Sequence, residues 1–558
     1  MLDHFLQLDR SLPSIIWLSC LFATSVGATY LVFSFGRHRI RQMVLWDIPG
    51  PQYQSYLTGN FKQMFNPYLG LEFRRLTRMT YGAVSKFYGP LGDQILLISD
   101  PKALSSILLK NQDIFEETEW FTESFRHAFG PGLLSSTGAL HRRQRKILNP
   151  IFSSQKVRSM VPLFHKISNE LRDVLLAKLS DSPQEIEIVD SLGRLTLEMI
   201  AQGGLGYTFS SFDADAGEKA FGAAVKELSF AMAKLWIFRS IFPLISRWPS
   251  KVLRFGAAWL PLANVRYFIK LIDIIYDNTS SLLGEKKALL AEGEEELANQ
   301  VGGGRDIVST LLKTNIKAPE ELKMNDDEIL AQMAIFLVAG TDTTSTALCH
   351  TLLLLSQRQD VQDKLRQELN GAVTAADSDE LGHDELNALP YLDAVCRETL
   401  RLHPPINFVT RSCRADTTIP LSQRIQGAHS SDSSLFVPRG TSIFVDILNV
   451  NRDQDIWGPD AATWQPERWL SPLPESVADA RVPGVYSHTL SFLGGGRSCI
   501  GFKFAEMGMK VVLSQLIRTF HFSPSKAEIV WRFGPVTTPS VKGSTAVAPM
   551  MPIVVEKI

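Results

Sequence analysis

The 558 residues carry a formal charge of −1, 45% hydrophobic side chains and a mean hydropathy near zero. No basic field points to a nucleic-acid partner, and the chain is long enough to bury a large core. The five cysteines (Cys20, Cys349, Cys396, Cys413 and Cys499) are irregularly spaced and form no Cys-x-x-Cys pair, which argues against a zinc site or a secreted disulfide framework and favours a reducing, cytosol-facing location.

Residues 15–35 form an uncharged stretch of 21 positions, close to the ~20 that a helix needs to cross a bilayer. Asp3, Asp9 and Arg10 precede it, and the cluster Gly36-Arg-His-Arg-Ile-Arg41 follows. By the positive-inside rule, the arginines and everything after them lie on the cytosolic side. A cleavable signal peptide is the other reading, but the span is long for one and no basic start precedes it. The chain therefore divides into a lumenal tail at 1–14, a transmembrane anchor at 15–35, a basic and proline-rich linker at 36–51 and one body over 52–558. Within the linker, Asp47-Ile-Pro-Gly-Pro51 is stiffened by its prolines, which fix their own φ and restrict the residue before them.

Ile95-Leu-Leu-Ile98, after Gly89-Pro90 and Gly92, reads as a short strand behind a turn. Helical patterns dominate residues 101–275. The aromatic and arginine-bearing stretch 236–260 reads by default as core packing. Residues 293–304 read as a loop, and their glycines lack the Lys-Ser/Thr of a phosphate cradle. Asn325-Asp-Asp-Glu328 is a capping box, and the proline-free run 329–356 predicts a helix of about 45 Å. In its middle lies Ala339-Gly-Thr-Asp-Thr-Thr344, whose glycine and small polar residues weaken the helix. Such a conflict between propensity and pattern marks a candidate functional site; the alternative is threonines bonding back to the preceding turn.

Glu398 and Arg401 share a helix face, followed by Leu-His-Pro-Pro405 and later by Gln465-Pro-Glu-Arg-Trp469. The segment Phe492-Leu-Gly-Gly-Gly-Arg-Ser-Cys-Ile-Gly501 then fixes a cysteine among glycines, ahead of an apolar helical pattern at 502–517. A helix N-terminus lowers a thiol pKa, and Gly495 and Gly501 permit tight turns and close approach to a flat partner.

The pattern Phe-x-x-Gly-x-Arg-x-Cys-x-Gly resembles the haem-ligating loop of the cytochrome P450 family, and the other motifs agree with it. The resemblance implies a mainly α fold with small β-sheets, a single catalytic domain behind the anchor, and haem b with Cys499 as its axial thiolate. Such a thiolate favours O–O cleavage. It further implies that Arg497, Arg411, Arg145 and His141 hold the haem propionates. Gly340 would open a groove for dioxygen, Thr343 would hydrogen-bond the reacting oxygen, and Asp342 would relay protons. Glu398, Arg401 and Arg468 would form a buried triad. Arg142, Arg143 and Lys146 share the His141 helix and form either a docking patch for an acidic electron donor or a merely solvated basic face.

The implied activity is O2-dependent monooxygenation at the endoplasmic reticulum membrane. Its electrons come from NADPH through a separate reductase, with a b-type cytochrome as a further partner, since no flavin or nicotinamide module is recognisable. Spacing resembles fungal microsomal members that tailor terpenoids and other secondary metabolites. The resemblance makes segment 116–132 a loop over the haem and lays 236–260 over the substrate entrance against lipid; segments 116–132, 334–339 and 406–409 are expected to line an apolar pocket. Alternatives are an isomerase or dehydratase that does not use O2, oxidation of fatty acids or xenobiotics, and a non-enzymatic haem carrier. The Asp342–Thr343 pair argues against the first and last.

Overall fold

The computed structural model describes residues 25, 36–209, 216–235, 242, 246–259, 262–293, 304–425 and 433–558. The candidate anchor at 15–35 lies outside them apart from Ser25, as does most of the 293–304 loop. Among the described residues no helix is long and apolar enough to cross a membrane.

The helices of ten or more residues in the first half are α1 (Gly70–Tyr81), α2 (Glu119–Phe129), α3 (Gly138–Leu148), α4 (Val161–Lys178), α5 (Ile188–Ile200), α6 (Ala216–Lys234), α7 (Ser250–Trp259) and α8 (Ala263–Glu292). They are followed by α9 (Ile307–Lys317), α10 (Asp326–Gln357), α11 (Gln359–Ala376), α12 (Pro390–Leu402) and α13 (Phe502–Thr519). Strands are short. They are β1 (Val84–Tyr88), β2 (Gln94–Ile98), β3 (Phe115–Glu116), β4 (Gln184–Glu187), β5 (Val409–Cys413), β6 (Thr417–Pro420), β7 (Ser434–Val437), β8 (Ser442–Val445), β9 (Phe520–Pro524), β10 (Ile529–Arg532), β11 (Thr538–Val541) and β12 (Pro552–Lys557). One five-stranded sheet has the order β1-β2-β8-β5-β3, with β2 and β8 parallel. A three-stranded sheet runs β4-β12-β9, and two hairpin-like pairs, β6-β7 and β10-β11, complete the set among the described residues.

The capping box at the start of α10 forms as its residue types require. Asn325 Oδ1 accepts from Glu328 N at 2.9 Å, and Glu328 Oε2 accepts from Asn325 N at 3.1 Å. The helix runs unbroken through its small polar segment. It is buried on most sides, packed against α5, α8 and α13, as an all-round apolar helix must be. At 2.8 Å, Thr343 donates back to Ala339 O, which satisfies the hydroxyl inside the helix.

Two expectations change. Segment 116–132 is mostly helical: Glu119 stands in the first turn of α2, Arg126 and His127 stand in its last, and Gly130 (φ +92°) ends it. Charges that complement the helix dipole and a glycine stop make a helix of the segment that the family resemblance gave as a loop. The linker, for its part, is clamped to the body. Lys86 of β1 donates to Leu45 O at 2.8 Å and Trp46 O at 2.7 Å, and a Cβ on Gly50 would fall 1.9 Å from Lys86 O. Burial pulls the Lys86 ammonium down to about 8.

Candidate active site

Cys499 lies three residues ahead of α13, its N–H bonded to Phe492 O at 2.9 Å. Its sulfur borders a cavity of about 2370 Å³, so its accessible surface is interior wall rather than the outside of the protein. Burial pushes the thiol pKa up, against the opposing pull of the Gly501 amide and Arg145. This corrects the expectation of a depressed value: the helix end is displaced from the sulfur, and desolvation dominates. A metal cation on the sulfur would supply the stabilisation that its surroundings lack.

Gly495 makes the tight turn expected of it, whereas Gly501 does not. Gly495 has φ +70°, and a Cβ there would sit 2.1 Å from Leu108 O; on Gly494 it would sit 1.5 Å from Pro483 O. Both are demanded by neighbouring backbone. Gly501 has ordinary φ and would meet only Phe152, at 3.9 Å.

Of the four polar side chains predicted to hold carboxylates, His141, Arg145 and Arg497 line this cavity, and Arg411 is buried behind them within reach of the charges of His141 and Arg497. Arg145 donates to Ser498 O at 2.7 Å, and Arg497 donates to Ser136 O at 2.8 Å. Arg411, 1% exposed, donates through Nη1 to Glu117 Oε2 at 2.6 Å and to Thr410 O at 2.8 Å, while its Nη2 is buried with no partner. His141 is held neutral, its pKa lowered to about 3 by burial and by Arg497, Arg145, Arg142 and Arg411. A crowd of cations with an orphaned guanidinium nitrogen fits an anionic group that is not part of the protein. Arg143 does not belong to an outward patch. It bonds Lys323 O at 2.5 Å and Glu328, tying α3 to the start of α10. Arg142 is exposed and paired with Asp113, and Lys146 is exposed.

Across the cavity stand Gly340, Asp342 and Thr343 of α10. A Cβ on Gly340 would approach Ile200 Cγ1 to 2.9 Å. The missing side chain therefore lets α10 cross α5 closely, and Gly340 also borders the cavity. Asp342 does not bond Thr343. Its Oδ2 accepts from Ser229 Oγ of α6 at 2.5 Å. Burial lifts its pKa from the ordinary 3.8 to about 6, opposed by Ser229 and by Lys226. Lys226 is in turn paired with Asp190 at 2.8 Å. Ser229 and Glu117 went unnoticed in the sequence because neither belongs to a motif.

The remaining wall is mostly apolar, with charged side chains such as Lys166, Glu170 and Arg194 in parts of it. Trp120, Phe121 and Phe125 of α2, Ile335 and Phe336 of α10, and Phe408 contribute to it, as expected. Phe129 is buried outside the lining, and Asn407 turns away to accept from buried Arg74. The turn 533–536 between β10 and β11 adds Phe533 and Val536, which no sequence pattern had marked. The volume exceeds the 300–1,000 Å³ usual for one ligand, leaving room for a macrocycle and a substrate together.

Beneath the cavity, Glu398 is fully buried. It accepts from Arg401 at 2.7 and 2.8 Å, from Arg468 at 3.4 Å and from Trp469 Nε1 at 2.9 Å. Arg401 also donates to Asn451 O and Ala461 O, so the predicted triad forms with its donors taken.

The family described as Cytochrome P450 matches residues 49–543. The chain belongs to that family. Its members are haem-thiolate oxidoreductases, which fits the cysteine, the cationic cradle and the cavity between them. Among similar proteins, a cytochrome P450 monooxygenase 91 of Postia placenta is 42% identical over 516 residues, covering 92% of this chain and 94% of the relative. A ganoderic acid synthetase of Ganoderma lucidum is 37% identical over 538 residues, covering 94% and 97%. A cytochrome P450 monooxygenase of Hericium erinaceus is 33% identical over 533 residues, covering 94% and 96%.

Proposed function

We propose that this chain is a reductase-fed, membrane-anchored monooxygenase that places one oxygen atom of O2 on a lipophilic substrate of terpenoid size. The observation that carries this reading is one apolar cavity bordered by Cys499 on one side and by Asp342 and Thr343 on another. The balanced reaction takes substrate–H, O2, two electrons and two protons to substrate–OH and water. Haem, when bound, would supply the oxygen chemistry, which a thiolate ligand favours over reversible oxygen binding.

The chain's own residues do the rest. Cys499 Sγ would ligate the iron, while Arg145, Arg411, Arg497 and His141 would hold the propionates. The aromatic wall excludes water and orients an apolar molecule. Asp342, with a pKa of about 6, can both take up and release a proton near neutral pH. Since its carboxyl is turned to Ser229, a water molecule or a rotated carboxyl would complete the path to Thr343.

A terpenoid substrate is supported by the likeness to a ganoderic acid synthetase and by the cavity's size. Placement at the endoplasmic reticulum membrane, catalytic domain cytosolic, is supported by the uncharged stretch at 15–35. Trp248, Phe255 and Trp259, which are 58%, 67% and 78% exposed on and beside α7, suit an interface with lipid. Electrons from NADPH through a separate reductase, with a b-type cytochrome as a second donor, complete the scheme.

The test is coexpression with a fungal reductase, feeding a panel of triterpenoids under labelled dioxygen. One labelled oxygen atom per product, together with the red-shifted carbon monoxide band of thiolate ligation, is the expected result. Product formed without oxygen uptake would replace monooxygenation by rearrangement.

A further inference from the structure

The cradle beside the cavity holds one acid where a site for carboxylates should hold none. Glu117 is the first of the two residues between β3 and α2, with its side chain 12% exposed. Its Oε2 takes Nη1 of Arg411 at 2.6 Å, leaving Nη2 as that guanidinium's orphan. Its charge also reaches Arg497, where it is the foremost influence sustaining the protonated form against burial. The neighbouring Glu116 acts more weakly on Arg497 and is turned to the Gly138 amide at 2.8 Å. Glu117 is thus the acid placed directly on the carboxylate-binding guanidinium.

We infer that Glu117 tunes the cofactor: it neutralises part of the positive cradle, weakening the hold on the haem propionates and keeping the iron's reduction potential low. This rests on haem binding against Arg145, Arg411 and Arg497, as family membership implies. The charges decide the sign. The three guanidinium charges are met by Glu117 and by both propionates, with none in surplus. Reduction of ferric to ferrous iron adds one electron, and hence one negative charge, to the iron–porphyrin–thiolate unit. A fixed carboxylate in the same low-dielectric region opposes that electron, and it opposes the propionates in every oxidation state. Glu117 also fixes Arg411 through its bond to Nη1, so it is a positioning residue as well as a charge.

The two roles separate by substitution. In Glu117→Gln, the amide oxygen still accepts from Arg411 while the charge is gone. In Glu117→Asp, the charge stays. Haem transfer from the purified holoprotein to excess apomyoglobin, and a dithionite titration of the haem spectrum, are then measured without any turnover. Glu117→Gln is expected to lose haem about three- to tenfold more slowly than wild type at low salt, with the gap narrowing at high salt. Its midpoint potential should move positive, and Glu117→Asp should track wild type in both measurements. A Glu117→Gln protein with unchanged potential and release, or one losing haem faster, overturns the inference, since the residue would then be only a structural partner of Arg411. A wild-type protein that folds but holds no haem overturns the reading beneath it, and a haem-loaded wild type keeps the two failures apart.

Discussion

Two ionic clusters flank the cavity, and they are finished to different degrees. Around Glu398 the carboxylate oxygens and the donors of Arg401 are occupied, at 0% exposure. In the cradle, Arg411 is as deeply buried yet keeps a nitrogen without a partner, and His141 is driven neutral by surrounding cations. Burial of charge is tolerated only where pairing is complete. A complete cluster is therefore scaffold. An incomplete one in a folded protein marks where something else completes it.

The largest effect should come from breaking the finished cluster. Glu398→Ala leaves Arg401 and Arg468 with uncompensated buried charge, at a cost of about 3–5 kcal/mol. Little soluble protein should be recovered, and haem per chain should fall with it. Normal yield and haem content would remove the triad from the scaffold.

The unfinished cluster should respond in the opposite manner. Replacing both partners, Arg411→Met with Glu117→Gln, removes one guanidinium and one carboxylate charge together. Apoprotein stability should stay within about 1 kcal/mol of wild type, because no charged partner is stranded. Haem release to apomyoglobin should nevertheless quicken by about tenfold or more, for loss of a charge-assisted contact. If melting and haem release both follow the Glu398→Ala pattern, the two clusters do not differ in kind.

What could be read in the sequence follows from distance along the chain. The Cys499 loop, the Glu398–Arg401 pair and the Asn325 capping box are local patterns, and each stands where its spacing placed it. Glu117 and Ser229 gain their meaning from partners 294 and 113 residues away. No window of sequence contains both halves. Gly340 was legible as a glycine that matters, but the Ile200 side chain that explains it lies on another helix. The Cys499 pKa was misread for a related reason, because burial depends on the whole fold whereas a helix start does not.

A third charge, Asp342, tests the same contrast on the cavity's other wall. Its pKa is raised from 3.8 to about 6 by burial. The folded state therefore binds a proton that the unfolded chain has lost, and this contribution is full below pH 3.8 and gone above about pH 6. At pH 7 the charged carboxylate costs about 1–3 kcal/mol relative to an unburied one. Asp342→Asn should raise the melting temperature at pH 7, with the gain vanishing below about pH 4. Product per NADPH should fall in the same variant. A carboxylate that costs stability while serving turnover is retained for chemistry; a destabilised Asp342→Asn protein would make it structural instead.

The smallest effect belongs to Ser229, which donates a side-chain hydrogen bond to Asp342 from α6 at 2.5 Å. That bond favours the charged carboxylate, so its loss moves the Asp342 pKa further up. Ser229→Ala should cost no more than about 1.5 kcal/mol of stability and leave haem content untouched, since Ser229 touches no residue of the cradle. Its mark should appear in the pH dependence of coupling. The fraction of NADPH recovered as product should reach half its maximum at a higher pH than in wild type, and Ser229→Thr should restore the original profile. Lys226, still paired with Asp190 nearby, keeps part of the stabilisation, which is why a shifted profile rather than a lost activity is the outcome to look for. A Ser229→Ala profile superimposable on wild type would mean that the proton on Asp342 is governed by burial alone, and that α6 roofs the cavity without touching its chemistry.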